Sequence, residues 1–315
     1  FVIPAEAGIQ AAVEFRLKDY CGQFDQENLE GPVAYVQFCH QHGEGKKWYL
    51  KAEHYSQDLL SDLRRRTFIK DFIVDVGDGH AEQLEKKFHF GMQAPAWLRQ
   101  TYYWFTERSY RRDHYGQVVP LEDLDKVLDL ASSIVRIPCI CRKSSTGKND
   151  ARYCFGLSID PEKFLDIKEA FLETFRPGPE ADLFEHLSKA EALDLLQAYE
   201  KESLIHSLWT FKTPFIGGLC NCDRADCLAL LSDRYGLRLF FRAEYVAQTT
   251  GENCSGCRSC LAACQFGAIS FAAARKMAFI DPLRCYGCGV CRSHCEQHAI
   301  HLIPRTHHPL ARRLW

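Results

Sequence analysis

Eight of the sixteen cysteines in this 315-residue chain stand in two copies of one pattern. Cys254, Cys257, Cys260 and Cys264 form the first C-x2-C-x2-C-x3-C run, and Cys285, Cys288, Cys291 and Cys295 form the second. Three thiolates at such short intervals, on a loop that also carries Ser255 and Gly256, can wrap one corner of a cubane. The fourth is carried away by a following helical turn. Structural zinc is the competing reading, but zinc ribbons rarely stack four thiols at this pitch. A disulfide scaffold fits poorly, because the chain is far longer than the small secreted domains that need such staples.

On these residues, 250–304 resembles the bacterial two-cluster ferredoxin family. The resemblance implies two 4Fe–4S clusters with crossed ligation, the fourth cysteine of each run completing the other cluster. Cluster one would use Cys254, Cys257, Cys260 and Cys295; cluster two would use Cys285, Cys288, Cys291 and Cys264. Residues 268–271 and 277–280 read as short strands about a turn, and 299–302 repeats the first of them, as internal duplication predicts. The family usually has Pro after the fourth cysteine, where this chain has Gln265 and Glu296. Since that Pro shapes a turn rather than binding iron, the departure touches turn rigidity and solvent access. Arg258, Arg284 and Arg292 lie in or beside the loops, where a positive charge facing a cluster would raise its potential.

Six further cysteines form a looser set: Cys139, Cys141, Cys154, Cys220, Cys222 and Cys227. The C-x-C pairs put two thiols on the same side of one extended stretch. Three readings stay open for them: a third iron–sulfur cluster, zinc or another structural metal, and free or redox-active thiols. The arrangement IPCICR…C…CNC…C ahead of a ferredoxin domain looks like a group of poorly characterised iron–sulfur proteins from anaerobes, over roughly 115–250. That resemblance implies a metal-binding module. It also places a His near His206, although a histidine in such a setting is more often a satisfied core residue than a ligand. The group often has more cysteines beside the second pair, where this chain has Asp223 and Asp226. Cys21 and Cys39 carry no motif and read as small core residues.

The expected fold class is α+β in four parts. Residues 1–115 read as a mixed α/β region, with strands at 72–76 and 88–90 and a helix over 56–66. Residues 116–249 read as a mainly helical module, with helices over 120–135, from Asp160-Pro161-Glu162 onward, after the Ser188–Glu191 capping box, and over 224–235. A strand is weakly indicated over 237–245, and a winged-helix-like shape is allowed. A linker at 248–253 leads to the ferredoxin domain at 250–304, and 305–315 is a tail that either docks or is solvated.

Function follows from what is present. The formal net charge of −2 gives no field for nucleic acid, and no apolar run has the roughly 18 residues of a membrane span. The first residues do not read as a secretion signal. The aromatic–basic stretch at 102–112 fits a buried face beside a solvated one better than a stacking surface. No glycine-rich nucleotide loop is present. The chain therefore reads as an electron carrier or electron-transfer subunit serving a redox partner, in a reducing, anaerobic or microaerobic cytoplasm. Two alternatives are an oxidoreductase whose upstream thiol site reduces a small molecule, and a redox sensor.

Overall fold

A computed structural model describes residues 46–78, 86, 93–178 and 182–314. Cys21, Cys39 and the expected strand at 88–90 lie outside the described residues. The helices are α1 (Gln57–Ser61), α2 (Leu63–Gly77), α3 (Ala96–Asp113), α4 (Leu121–Leu130), α5 (Ile140–Thr146), α6 (Leu165–Phe175), α7 (Lys189–Lys201), α8 (Leu228–Arg234), α9 (Ser259–Ala263) and α10 (Val290–Ser293). The strands are β1 (Gly116–Val118), β2 (Ile134–Ile137), β3 (Cys154–Leu157), β4 (Glu185–His186), β5 (Ile205–Thr210), β6 (Ile216–Cys222), β7 (Phe240–Phe241), β8 (Tyr245–Thr249), β9 (Ile269–Ala272), β10 (Met277–Ile280) and β11 (Ile300–Pro304). Helices and strands are both present, as an α+β class requires.

The expectation of a mainly helical middle module needs correction. Its helices lie over a seven-stranded sheet ordered β4-β2-β3-β6-β5-β1-β7, antiparallel except at β1–β7. The longest strands, β5 and β6, are buried on nearly every residue, so they lack the polar–apolar alternation by which a half-exposed strand shows itself. One face of the sheet presents Phe155, Leu157, Leu208 and Leu219 to Leu124, Val127 and Leu128 of α4 and Leu196 and Tyr199 of α7. The other face is covered in two parts. Val135 packs with Ile69 and Ile73 of α2 and Ile167 and Phe171 of α6. Ile205, Trp209 and Cys222 pack with Ala229 and Leu230 of α8 and with Ala263, Phe266, Tyr286 and Val290 of the C-terminal unit. Each fully buried Leu, Ile, Val or Phe among these contributes about 1.5–3 kcal/mol.

Residues 72–76, read as a strand, lie inside α2. Arg65, Ile69, Ile73 and Gly77 recur every four residues and form its buried face, and this period outweighs the β-branched run. Gly77 is required there: a Cβ would stand 2.1 Å from Thr174 Cγ2. The helix expected over 56–66 is divided at Asp62, whose carboxylate accepts from Arg64 N–H at 2.8 Å and starts α2. The Ser188–Glu191 capping box is present on α7. After Asp160-Pro161-Glu162 the chain makes a turn first, and α6 begins only at Leu165. The helix expected from 224 likewise starts at Leu228, because the Asp223 carboxylate holds Ala225 and Asp226 N–H in a turn, at 2.9 Å each.

In the C-terminal unit β9 pairs with β10, as the repeat suggests, but β11 pairs with β8. Gln248 and Thr249, read as the start of a linker, are therefore part of a strand. The tail is docked: Arg305 and Ala311 are fully buried. Among the described residues, no helix is long and apolar enough to cross a membrane.

Candidate metal centres: two groups of thiols

Each C-terminal motif wraps a loop and then turns into a short helix, α9 or α10. The duplication extends to the hydrogen bonds. Ala268 N–H donates to Cys264 Sγ and Ala299 N–H to Cys295 Sγ, both at 3.2 Å and both four residues on from the sulfur. Cys285 Sγ accepts from Ala247 and Gly287 N–H, at 3.4 Å each. Gly287 has φ +73°, and a Cβ there would meet Tyr245 O at 2.1 Å, so only glycine lets this loop lie on β8.

Thiols of each motif come close to thiols of the other, within one apolar cluster. Cys260 acts electrostatically with Cys295, Cys257 and Cys254. Cys288 acts with Cys285 and Cys264, and Cys291 with Cys288, Cys285, Cys264 and Cys260. Burial pushes Cys260 up to about 11 and raises Cys285, Cys288 and Cys291 as well. Exposed Cys257 goes the other way, lowered by donors from Ser259 and Ser255.

The sequence left open whether the loop arginines face a cluster, and two of them have other partners. Arg292 pairs with Glu122 of α4, with Nη2 2.8 Å from Oε2, and Arg258 stacks on the Phe271 ring at 4.0 Å. Two buried cations beside this unit, Arg305 and Arg242, are ones that sequence reasoning missed. Arg305 donates to Ala243 O (2.8 Å), Tyr245 O (2.6 Å) and Cys285 O (3.1 Å). Arg242 donates to Leu283 O at 2.6 Å and lies over the Tyr286 ring. Gln265, standing where the family has Pro, has a use of its own. Its amide accepts from Arg224 N–H at 3.0 Å and donates to Ser203 O at 2.9 Å, tying the motif to the sheet unit.

The upstream six come together through strand register. Cys154 faces Cys220 across β3–β6, and Cys222 is two residues further along β6 on the same face. Cys139 caps α5, which carries Cys141, and Cys227 caps α8. Cys154 Sγ is 3.4 Å from Cys139 Sγ and 3.9 Å from Cys220 Sγ. Cys220 interacts with Cys222 and Cys222 with Cys227, and Cys141 acts electrostatically on both Cys220 and Cys222. All six thus lie in one connected group. The Cys154 contact and burial hold the Cys139 thiol far above its usual range, and burial pushes Cys141 up to about 11.

Arg142, buried within this group, is the residue no motif announces. Its guanidinium donates to Asp226 Oδ2 (3.0 Å), Asp223 Oδ2 (3.2 Å) and Asn221 O (3.1 Å), with Nη1 3.7 Å from Cys139 Sγ. Asp223 and Asp226 therefore hold the arginine. Burial opposes its charge, but the Cys222 and Cys139 thiols more than offset this and raise its pKa. His206 is not brought to the thiols. It pairs with Asn221 in β6, between Cys220 and Cys222, and so lies on the opposite face. Its Nδ1 is 2.6 Å from Asn221 Oδ1, and burial lowers its pKa. It is placed as a core histidine whose Nε2 makes no hydrogen bond and lies 3.9 Å from Glu200 Oε1.

Residues 253–299 match the family model of the 4Fe-4S dicluster domain, so the chain carries a ferredoxin-type iron–sulfur domain near its C-terminus. Over 50 residues it is 42% identical to the indolepyruvate oxidoreductase subunit IorA of Pyrococcus horikoshii. That stretch is 16% of this chain and 8% of that protein's length. No solved structure matches the chain.

Proposed function

We propose that this chain is an iron–sulfur electron-transfer protein, or the electron-transfer subunit of an oxidoreductase, holding two 4Fe–4S clusters. The observation that carries the reading is that thiols of the two motifs approach one another. Cys260 acts with Cys295 as well as Cys257 and Cys254, and Cys288 and Cys291 act with Cys264 as well as Cys285, with Cys291 also acting with Cys260. We assign Cys254, Cys257, Cys260 and Cys295 as the ligands of cluster one, and Cys285, Cys288, Cys291 and Cys264 as those of cluster two. The donor set fits, being all thiol, with backbone N–H groups aimed at the sulfurs from Ala247, Ala268, Gly287 and Ala299.

When bound, such clusters supply reversible one-electron oxidation and reduction. The residues of the chain hold and tune them. The N–H donors stabilise charge on sulfur, and Arg305 and Arg242 set fixed positive charge beside Cys285. Thiolate ligation of iron requires a reducing compartment, which we take to be the cytoplasm, and the acceptor is a redox partner protein or complex. The likeness over 50 residues to a protein named as an oxidoreductase subunit supports a place in such a complex.

An anaerobic potentiometric titration followed by visible absorbance tests this. At least two reversible one-electron waves are expected. A chain that shows none, or a single two-electron step, is not a carrier of this kind.

A further inference from the structure

We propose that the six upstream thiols hold a third iron–sulfur cluster, seated against the cluster-two side of the C-terminal domain, so that the chain is a relay running from an exposed end inward. The proposal rests on the electron-transfer reading for its direction, and on the residues of the pocket for its ligands.

The pocket offers more thiols than one ion can use. A single tetrahedral metal takes four ligands, and six cysteines converge here. A centre that brings its own bridging sulfide can use thiols drawn from several elements, and Cys222, with thiol neighbours at Cys220, Cys227 and Cys141, lies at the heart of this group.

The surroundings match such a centre. Tyr153 N–H donates to Cys139 Sγ at 2.9 Å, the same kind of donor that Cys264 and Cys295 receive. Arg142, only 4% exposed, puts a fixed positive charge beside the sulfurs and is held by two carboxylates. A thiolate-ligated cluster is anionic, and the guanidinium, with Nη1 3.7 Å from Cys139 Sγ, would stand beside it.

Direction comes from the packing. Cys220, Cys222 and Cys227 share one apolar cluster with Cys264 and Cys288, both assigned to cluster two. Gln265, next to Cys264, is bonded to Arg224, two residues past Cys222. Cys257, assigned to cluster one, is exposed. An electron arriving at the Cys257 end would pass inward through the Cys264–Cys288 side to the pocket. Each transfer moves one electron and breaks no bond, and the supply is the one-electron redox partner.

The test is iron, acid-labile sulfide and zinc per chain in anaerobically purified full-length protein, with EPR of the reduced sample. About twelve irons are expected, from three four-iron clusters. Cys222→Ser is expected to fall to about eight irons and lose one EPR component while keeping the other two. In the intact protein the cluster-two component is expected to be broadened by its neighbour, a broadening lost in Cys222→Ser. The wild-type count decides by itself if that variant does not fold. About eight irons, with zinc in the pocket or with six alkylatable upstream cysteines, would overturn the proposal. An iron count reduced at the C-terminal motifs, with the Cys222-dependent component retained, would uphold it and sink the two-cluster reading instead.

Discussion

The two groups of cysteines reach their sites by opposite routes. The C-terminal eight lie between residues 254 and 295, and each loop gathers three of its own thiols before any tertiary contact is made. The upstream six are drawn from residues 139 to 227 and meet only because β3 and β6 pair in one register and two helices start beside them. Their environments differ to match. Ser259 and Ser255 donors lower exposed Cys257, whereas burial and thiol–thiol contact raise Cys139. A local loop can tolerate an open edge, as at Cys257, while a site assembled by topology sits inside the core. Ligand sites of the first kind are written in spacing; those of the second kind depend on the sheet.

The comparison can be strained in several ways. The largest effect is expected from Cys288→Ser, which should remove one of two C-terminal EPR components and about four irons, leaving the upstream group intact. Iron analysis with EPR checks this.

Next come the buried guanidiniums behind each group. Arg142→Leu leaves Asp226 and the Asn221 carbonyl short of a donor in the core and should cost about 3–5 kcal/mol in denaturant unfolding. Arg305→Met should cost a similar amount through three abandoned carbonyls. It should also lower the potential of the centre at Cys285 and leave that at Cys254 unmoved, as redox titration would show.

The sheet unit has a pH signature of its own. Burial between Phe72 and Trp209 lowers His114 to about 4, from an ordinary value of 6.5. A histidine depressed in the folded state contributes stability that is present above 6.5 and lost as pH falls toward about 4. That loss should reach roughly 3 kcal/mol at most, and His114→Phe should flatten it in thermal unfolding scans. The smallest effect is expected at the contact between units. Glu122→Gln leaves Arg292 unpaired, and because the pair is partly exposed the change should stay below about 1 kcal/mol in chemical denaturation.

What the sequence made legible divides along the same line. The eight spaced cysteines, strands β9 and β10 and the α7 capping box are all local patterns, and each was readable from neighbouring residues. The central sheet was not, because Ile205–Thr210 and Ile216–Cys222 are buried on both faces and lose their period. The six-cysteine set was visible as spacing, but its face was not. Only the pairing of His206 with Asn221 shows that this histidine points away from the thiols. Arg305 looked like one more basic residue of a short tail, since its carbonyl acceptors come from residues 243, 245 and 285.

The central claim is that the C-terminal thiols sort across the repeat into two one-electron centres. EPR of reduced Cys295→Ser, set beside Cys254→Ser and Cys285→Ser, tests it most directly. The account predicts that Cys295→Ser and Cys254→Ser lose the same component and keep the one that Cys285→Ser loses. If Cys295→Ser instead matched Cys285→Ser, each motif would hold its own metal and the crossed assignment would be wrong.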